Sequence, residues 1–369
     1  SRRVKTVKKL FYIVLLIAIC LTFAACSGQT EASEPALSRE TFAVSTEIQK
    51  PNYPTEFSIG DALLYPGMYE VTMNSMEFTK KVEPPKPKNY YSYYEVKESG
   101  NIYVHSIFKV KNLKGSSLSA EDILDVKVLY DEKYEYNSFS TIEEDGGSDF
   151  TYTNITGIDP LTYGVLHFIT EVPVEVKDSG KSVKIIITIG DITMICNGET
   201  DAPETIQIGD NKLVLENTSW EKFTKLSLNN LVTEVDYAEM TIKKAEFNST
   251  VKPTKASGYY SYYEVKDNAN TYAHLIIDFK NLKTTGTNAD EIASVRVVYD
   301  NKYEYRGFSA IEEDGGSDLT YTNIIRIDPL TVGTIHYIFE VPKEVKDSGL
   351  PVVFVISLNK TNYYYQLVE

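Results

Sequence analysis

Tyr103-Val104-His105-Ser106-Ile107-Phe108-Lys109-Val110-Lys111-Asn112 alternates with a period of two. Val104, Ser106, Phe108 and Val110 fall on one side, Tyr103, His105, Ile107 and Lys109 on the other. That pattern predicts a β-strand whose first set faces a core and whose histidine side faces outward. Tyr272 to Asn281 repeats it, with Ala273, Leu275, Ile277 and Phe279 on the core side. Working outward, the correspondence continues without a gap. Tyr90 to Gly180 reappears as Tyr259 to Gly349 at an offset of 169, with 58 identities in 91 positions. The chain therefore contains one module twice, and its four histidines fall on equivalent positions: His105 with His274, His167 with His336.

The neighbouring segments alternate in the same way. Leu166, Phe168 and Val172 are expected to face inward, as are Ile335, Tyr337, Phe339 and Val341 in the copy. Val126 to Tyr130 and Lys133 to Tyr136 read as a hairpin around Asp131-Glu132, repeated around Asp300-Asn301. Further strands are expected at Tyr69 to Phe78, Val183 to Ile189 and Ile192 to Cys196, with copies near Asp236 to Phe247, Val352 to Leu358 and Tyr363 to Val368. About seven short strands per module without helical crossovers predict an antiparallel β-sandwich of immunoglobulin-like type. The boundaries follow from composition: 57–198 for the first module and 203–369 for the second, separated by an Asn, Gly, Asp and Pro cluster. Ile59-Gly60-Asp61 and Ile208-Gly209-Asp210 both read as module openings. Their offset of 149 gives the second module about twenty additional residues near Glu216 to Asn230, which include Trp220.

The N-terminus specifies a place. Arg2, Arg3, Lys5, Lys8 and Lys9 precede an apolar run from Leu10 to Phe23, closed by Ala24-Ala25-Cys26. Residues 1–25 read as a signal peptide, too short to be a comfortable transmembrane span. Small residues before a cysteine resemble the lipobox of bacterial lipoproteins, which implies lipidation at Cys26 and a membrane attachment through acyl chains on the extracytoplasmic face. Ser1 in place of methionine implies that the natural start lies upstream. Residues 26–56, rich in Ser, Thr, Glu and Pro, read as a disordered tether with a span of about 30 Å. Cys196 is then left without an intrachain partner and reads as a small buried hydrophobe.

Net charge is −15, and removing the signal's five basic residues leaves 32 Lys and Arg against 52 Asp and Glu, or −20. Such a surface disfavours nucleic acid and anionic lipid headgroups as partners. The Ile-Gly-Asp opening, the strand end Lys111-Asn112-Leu113, and Val172-Pro173-Val174-Glu175-Val176-Lys177-Asp178 together resemble the tandem immunoglobulin-like, telokin-like domains of unknown function in lipoproteins of Gram-positive bacteria. The resemblance implies an extracytoplasmic β-sandwich with no catalytic residues to carry over.

Three constellations could carry function. The runs Tyr90-Tyr91-Ser92-Tyr93-Tyr94 and Tyr259-Tyr260-Ser261-Tyr262-Tyr263 offer flat, apolar rings with polar hydroxyls, suited to a protein or glycan partner, although tyrosine is also a good strand residue. The acidic loop offers Glu143, Asp145 and Asp149, with Glu312, Asp314 and Asp318 in the copy, as calcium ligands; a solvated turn is the plainer reading. His105 and His167 could form half of a zinc site if their strands are neighbours, or pack beside Tyr103. Catalysis finds no defensible triad, phosphate loop or HExxH motif, and no cofactor is indicated beyond the calcium option. The expectation is a lipid-anchored, non-enzymatic surface protein whose two modules bind an extracellular protein or glycan. Its alternative is a structural spacer or accessory subunit of an exported complex.

Overall fold

The computed structural model describes residues 53–210 and 217–368. The expected signal peptide, Cys26 and most of the expected tether lie outside the described residues. The fold is all-β, and each repeat is two sheets packed face to face. In the first repeat, one sheet runs in the order Glu56–Ile59, Ile192–Glu199, Val183–Ile189, Asp125–Tyr130, Tyr134–Asn137. The facing sheet runs Asp149–Thr151, Phe139–Glu144, Tyr163–Pro173, Asn101–Asn112, Tyr69–Thr79, Ala62–Tyr65, Thr205–Gln207.

The second repeat keeps this plan. Its sheets run Thr224–Lys225, Thr361–Val368, Val352–Leu358, Ser294–Tyr299, Tyr303–Tyr305 and Leu231–Glu234, Ala238–Asn248, Asn270–Asn281, Val332–Pro342, Phe308–Glu313, Asp318–Tyr321. Pairing is antiparallel except at the edges, where Glu56–Ile59, Thr205–Gln207 and Thr224–Lys225 each add on in parallel. Those strands are short and peripheral, with no alternation long enough to announce their direction.

The alternation read from the sequence is the observed one. Val104, Phe108, Val110, Leu166, Phe168 and Val172 all lie in the first core, and Leu275, Phe279, Ile335, Tyr337 and Val341 in the second. Each hairpin turns on two left-handed residues, Asp131 (φ 54°) with Glu132 (φ 53°) and Asp300 (φ 49°) with Asn301 (φ 56°). Positive φ at both central positions matches the right-handed twist of the paired strands. Cys196 is buried in the first core, where desolvation pushes its thiol up.

One boundary differs from the sequence reading. Thr205–Gln207 pairs with Ala62–Tyr65, and Ile208 is fully buried in the first core. The Asp61 carboxylate holds the join, accepting from Ser58 N at 2.7 Å and Glu204 N at 2.9 Å. Ile208-Gly209 thus closes the first repeat instead of opening the second. The additional residues of the second repeat lie over its five-stranded sheet. Trp220 and Phe223 pack with Tyr364 on Val298, Val353 and Val355, and Trp220 Nε1 donates to Asn301 Oδ1 at 2.9 Å.

A bulge prepares the functional region. Along Tyr69–Thr79 the pairing moves from Met73 opposite Phe108 to Ser75 opposite Ile107, leaving Asn74 extra. A one-residue insertion exchanges the faces of everything beyond it. Met76 and Phe78 therefore return to the core, while Glu77 comes opposite His105. The same shift at Lys243 brings Glu246 opposite His274.

Candidate functional site

The histidine face of each larger sheet is covered. In the first repeat Val82, Tyr103, Phe150 and Ile169 form a second small apolar cluster there, sealed by Tyr94 and Val96. His105 and His167, expected on an outward face, are consequently buried. They form the middle of a polar row: Glu77 Oε1 lies 3.2 Å from His105 Nδ1, His105 Nε2 lies 2.9 Å from His167 Nδ1, and His167 Nε2 lies 2.9 Å from Glu143 Oε1. The edge of Phe150 packs against the His167 ring.

Proton counting constrains this row. A ring nitrogen either donates or accepts, so two neutral imidazoles provide two N–H groups for four nitrogens. With both neutral, one of the three contacts has no proton between its partners. All three contacts become hydrogen bonds when the pair holds a third proton, as one imidazolium shared between two carboxylates. Burial pulls His105 below the ordinary histidine value, His167 adds to this, and Glu77 opposes it.

The second row is wired differently. Asn248, at the position of Thr79, donates its amide to Glu246 Oε1 at 3.0 Å and to His274 Nδ1 at 3.4 Å, while Glu246 stands 3.9 Å from that nitrogen. His274 Nε2 then donates to His336 Nδ1 at 3.1 Å, and His336 Nε2 to Glu312 Oε1 at 3.0 Å. Every contact is satisfied with both rings neutral. Burial, helped by His336 and Lys244, pulls His274 down to about 3. His336 is lowered by burial against the pull of Glu312. The histidines do meet, but their facing nitrogens bond one another, and among the described residues no group of three or more His, Cys, Asp or Glu is placed to hold a metal.

The acidic loop likewise does not converge on a cation. Glu143 is engaged with His167, Asp145 pairs with Lys266 at 2.6 Å, and Asp149 accepts from the amides of Ser92 and Phe150, both at 2.7 Å. Those amides hold the Asp149 carboxyl below its usual range. In the copy Glu312 accepts from Thr254 N at 2.8 Å as well as from His336, and Asp318 accepts from Ser261 and Leu319. Asp314 has no part in either set. The calcium reading assumed that residues adjacent in sequence aim at one point; three left-handed residues in a row, Asp145, Gly146 and Gly147, fan them apart.

Each tyrosine run divides its residues between packing and exposure. Tyr94 packs at a tilt against Phe139 and Phe150 over the histidine face, and Tyr263 against Phe308. Tyr91 bonds Glu83 at 2.6 Å and lies beside Tyr93, over which Lys81 Nζ sits at 4.4 Å. Tyr260 is likewise half-buried beside Tyr262. Tyr90 and Tyr259 are fully exposed, and Tyr93 and Tyr262 about half exposed. The packing reading thus holds for Tyr94 and Tyr263, while Tyr90 and Tyr259 stand open to solvent.

The two runs are not equivalent in setting. Tyr90 of the first repeat and Tyr262 of the second line one groove of about 660 Å³ at the junction of the repeats, with Lys86, Lys88, Asp145 and Lys266. Tyr259 does not line it. This composite groove was not legible in the sequence, since nothing there says which end of one repeat meets the other. Its volume falls in the range of small-ligand sites, and it combines aromatic faces with charges of both signs.

No family model matches the chain, and no curated protein does. Two solved structures similar to part of it are an uncharacterized β-sandwich protein from Clostridium difficile 630 and a conserved hypothetical protein from Bacillus anthracis. The first is 25% identical with a TM-score of 0.38 and spans 41% of this chain and 99% of its own. The second is 14% identical with a TM-score of 0.28 and spans 39% of this chain and 94% of its own.

Proposed function

We propose that this chain is a lipid-anchored, non-enzymatic protein of the extracytoplasmic face of a bacterial membrane. Its tandem immunoglobulin-like modules bind an extracellular protein or glycan, and the groove between them is the contact site. The observation that carries this reading is the convergence of Tyr90 and Tyr262 from different repeats on one groove. Rigid aromatic rings beside charged side chains suit the apolar faces and hydroxyls of a sugar, or an aromatic-rich protein epitope.

Two experiments test the two parts. Replacing Cys26 by Ala should abolish metabolic labelling with palmitate and release the chain from membranes; continued labelling overturns the anchor. For binding, the full chain is applied to glycan and cell-wall protein arrays alongside Tyr90→Ser, Tyr262→Ser and Tyr259→Ser. Binding should fall at least tenfold for the first two and be unchanged for the third. Equal loss in all three, or none, contradicts the groove. The spacer alternative draws on the fixed junction of the repeats, and it expects all three variants to behave like the parent.

A further inference from the structure

The junction between the repeats is head-to-tail. The first repeat contributes the loop Asp159-Pro160-Leu161-Thr162, Gly115 and Asp145. The second contributes its edge strand Tyr303–Tyr305, Arg306 and Lys266. Glu304 N donates to Gly115 O at 2.7 Å, Lys266 pairs with Asp145 at 2.6 Å, and Leu161 packs against the core of the second repeat. Asp159 is pushed up by burial there, with Arg306 opposing. A contact in which different faces meet leaves one copy of each face unused at the two ends.

Those unused faces are present and open. Asp328, Pro329, Leu330 and Thr331 repeat the covered loop residue for residue, and all four are exposed, Leu330 at 70%. Leu330 also keeps the left-handed backbone of Leu161, at φ 64° and 60°. That conformation is costly for leucine, and in the first repeat packing offsets it. At the other end, Tyr134–Asn137 is the edge strand of its sheet. Leu129 pairs with Glu135 as Val298 pairs with Glu304, so the Glu135 N–H points outward as the Glu304 N–H does. An edge of this kind accepts another chain. The ion pair is retained in kind, with Asp314 at one end and Lys97 at the other; Arg306 is weakened to Asn137, and Gly115, which offers only its carbonyl to the contact, becomes Thr284.

We propose that a second copy of this chain docks here, its first-repeat edge Tyr134–Asn137 and Lys97 taking the Asp328–Thr331 loop and Asp314 of the first copy. The contact repeats the internal junction and leaves the same two faces free at the ends, so it propagates instead of closing. It rests on the internal junction and is independent of any partner bound in the groove.

The test is sedimentation velocity of the full chain, all variants carrying Cys26→Ser so that no acyl group drives association. The parent should show a sedimentation coefficient that rises with concentration beyond that of a dimer. Leu330→Asp, at an exposed left-handed site that aspartate tolerates, should remain monomeric with an unchanged circular dichroism spectrum. Asp314→Lys and Lys97→Asp should each weaken association at least threefold, and the double variant should restore it. A parent that stays monomeric, a closed dimer, Leu330→Asp associating like the parent, or a double variant no better than the singles overturns the proposal.

Discussion

Lys184 in the first repeat and Val353 in the second occupy the same place in the same strand, and their surroundings differ. Lys184 reaches solvent and pairs with Glu132 at 2.9 Å, whereas Val353 is buried beneath Trp220 and Phe223. The strand Val352–Leu358 is apolar through Ile356 because both of its faces are covered. Its counterpart Val183–Ile189 has only one covered face and carries Lys184 and Thr188 on the other. The repeats thus share a fold and a core while differing in what lies against them. The same lesson applies to the histidine rows, where Asn248 in place of Thr79 changes the proton count, and to the tyrosine runs, of which one residue from each lines the groove.

The largest expected effect comes from exchanging the first pair. Val353→Lys should destabilise the second repeat by about 2–4 kcal/mol, because a charge enters an apolar contact with no partner. Lys184→Val should leave the denaturation midpoint nearly unchanged. Trp220, the sole tryptophan, makes its fluorescence a reporter of the second repeat during chemical denaturation. If both substitutions act alike, the cover over the second sheet is not as described.

Acid should separate the repeats next. His274 and His336 have folded values below the ordinary histidine value near 6.5, so the unfolded chain binds more protons. Their contribution is fully present above about pH 6.5 and is lost as pH falls, by up to about 1.4 kcal/mol per pH unit for each histidine. For His274 the loss extends down to about 3. The groups facing this pair are Glu246, Asn248, Lys244 and Glu312. Denaturation followed at Trp220 between pH 7.5 and 4.5 measures it, roughly the window given by these shifts. A flat profile would show that the pair titrates alike in the folded and unfolded chain.

The smallest effect tests the junction. Leu161→Ala should cost about 1–2 kcal/mol through lost apolar contact with the second core, read as a lower thermal midpoint of the full chain. Leu330→Ala, the same change at the exposed copy, should cost nothing measurable at a protein concentration dilute enough to keep the chain monomeric. Equal costs would mean that the two loops have the same surroundings.

Much of the fold was legible because alternation reports burial directly: Val104, Phe108 and Val110 pack where their period places them. Glu77 was missed, yet a signal existed. Val71 and Met73 are followed by Met76 and Phe78, a slip of one residue in the apolar period that marks the bulge and turns Glu77 toward His105. The outward face of the histidines was misjudged because alternation shows that two faces differ, not that the second is wet. A short cover by Tyr94, Val96 and Phe150 is invisible to it. The parallel edge strand Thr205–Gln207 is too short to show a pattern. The junction could not be read at all, since the Asp-Pro-Leu-Thr loop is identical in both repeats and only its neighbours distinguish them.

The most direct test of the claim that identical residues are set apart by their neighbours is a titration of the four imidazoles by ¹⁵N-histidine NMR on the full chain. Lowering the pH should protonate His105 at Nδ1, the nitrogen that faces Glu77, whereas the equivalent nitrogen of His274 faces the Asn248 amide. His274 should stay a neutral Nε2–H tautomer until it titrates at about 3. The same tautomers and the same titration in both pairs would contradict the account.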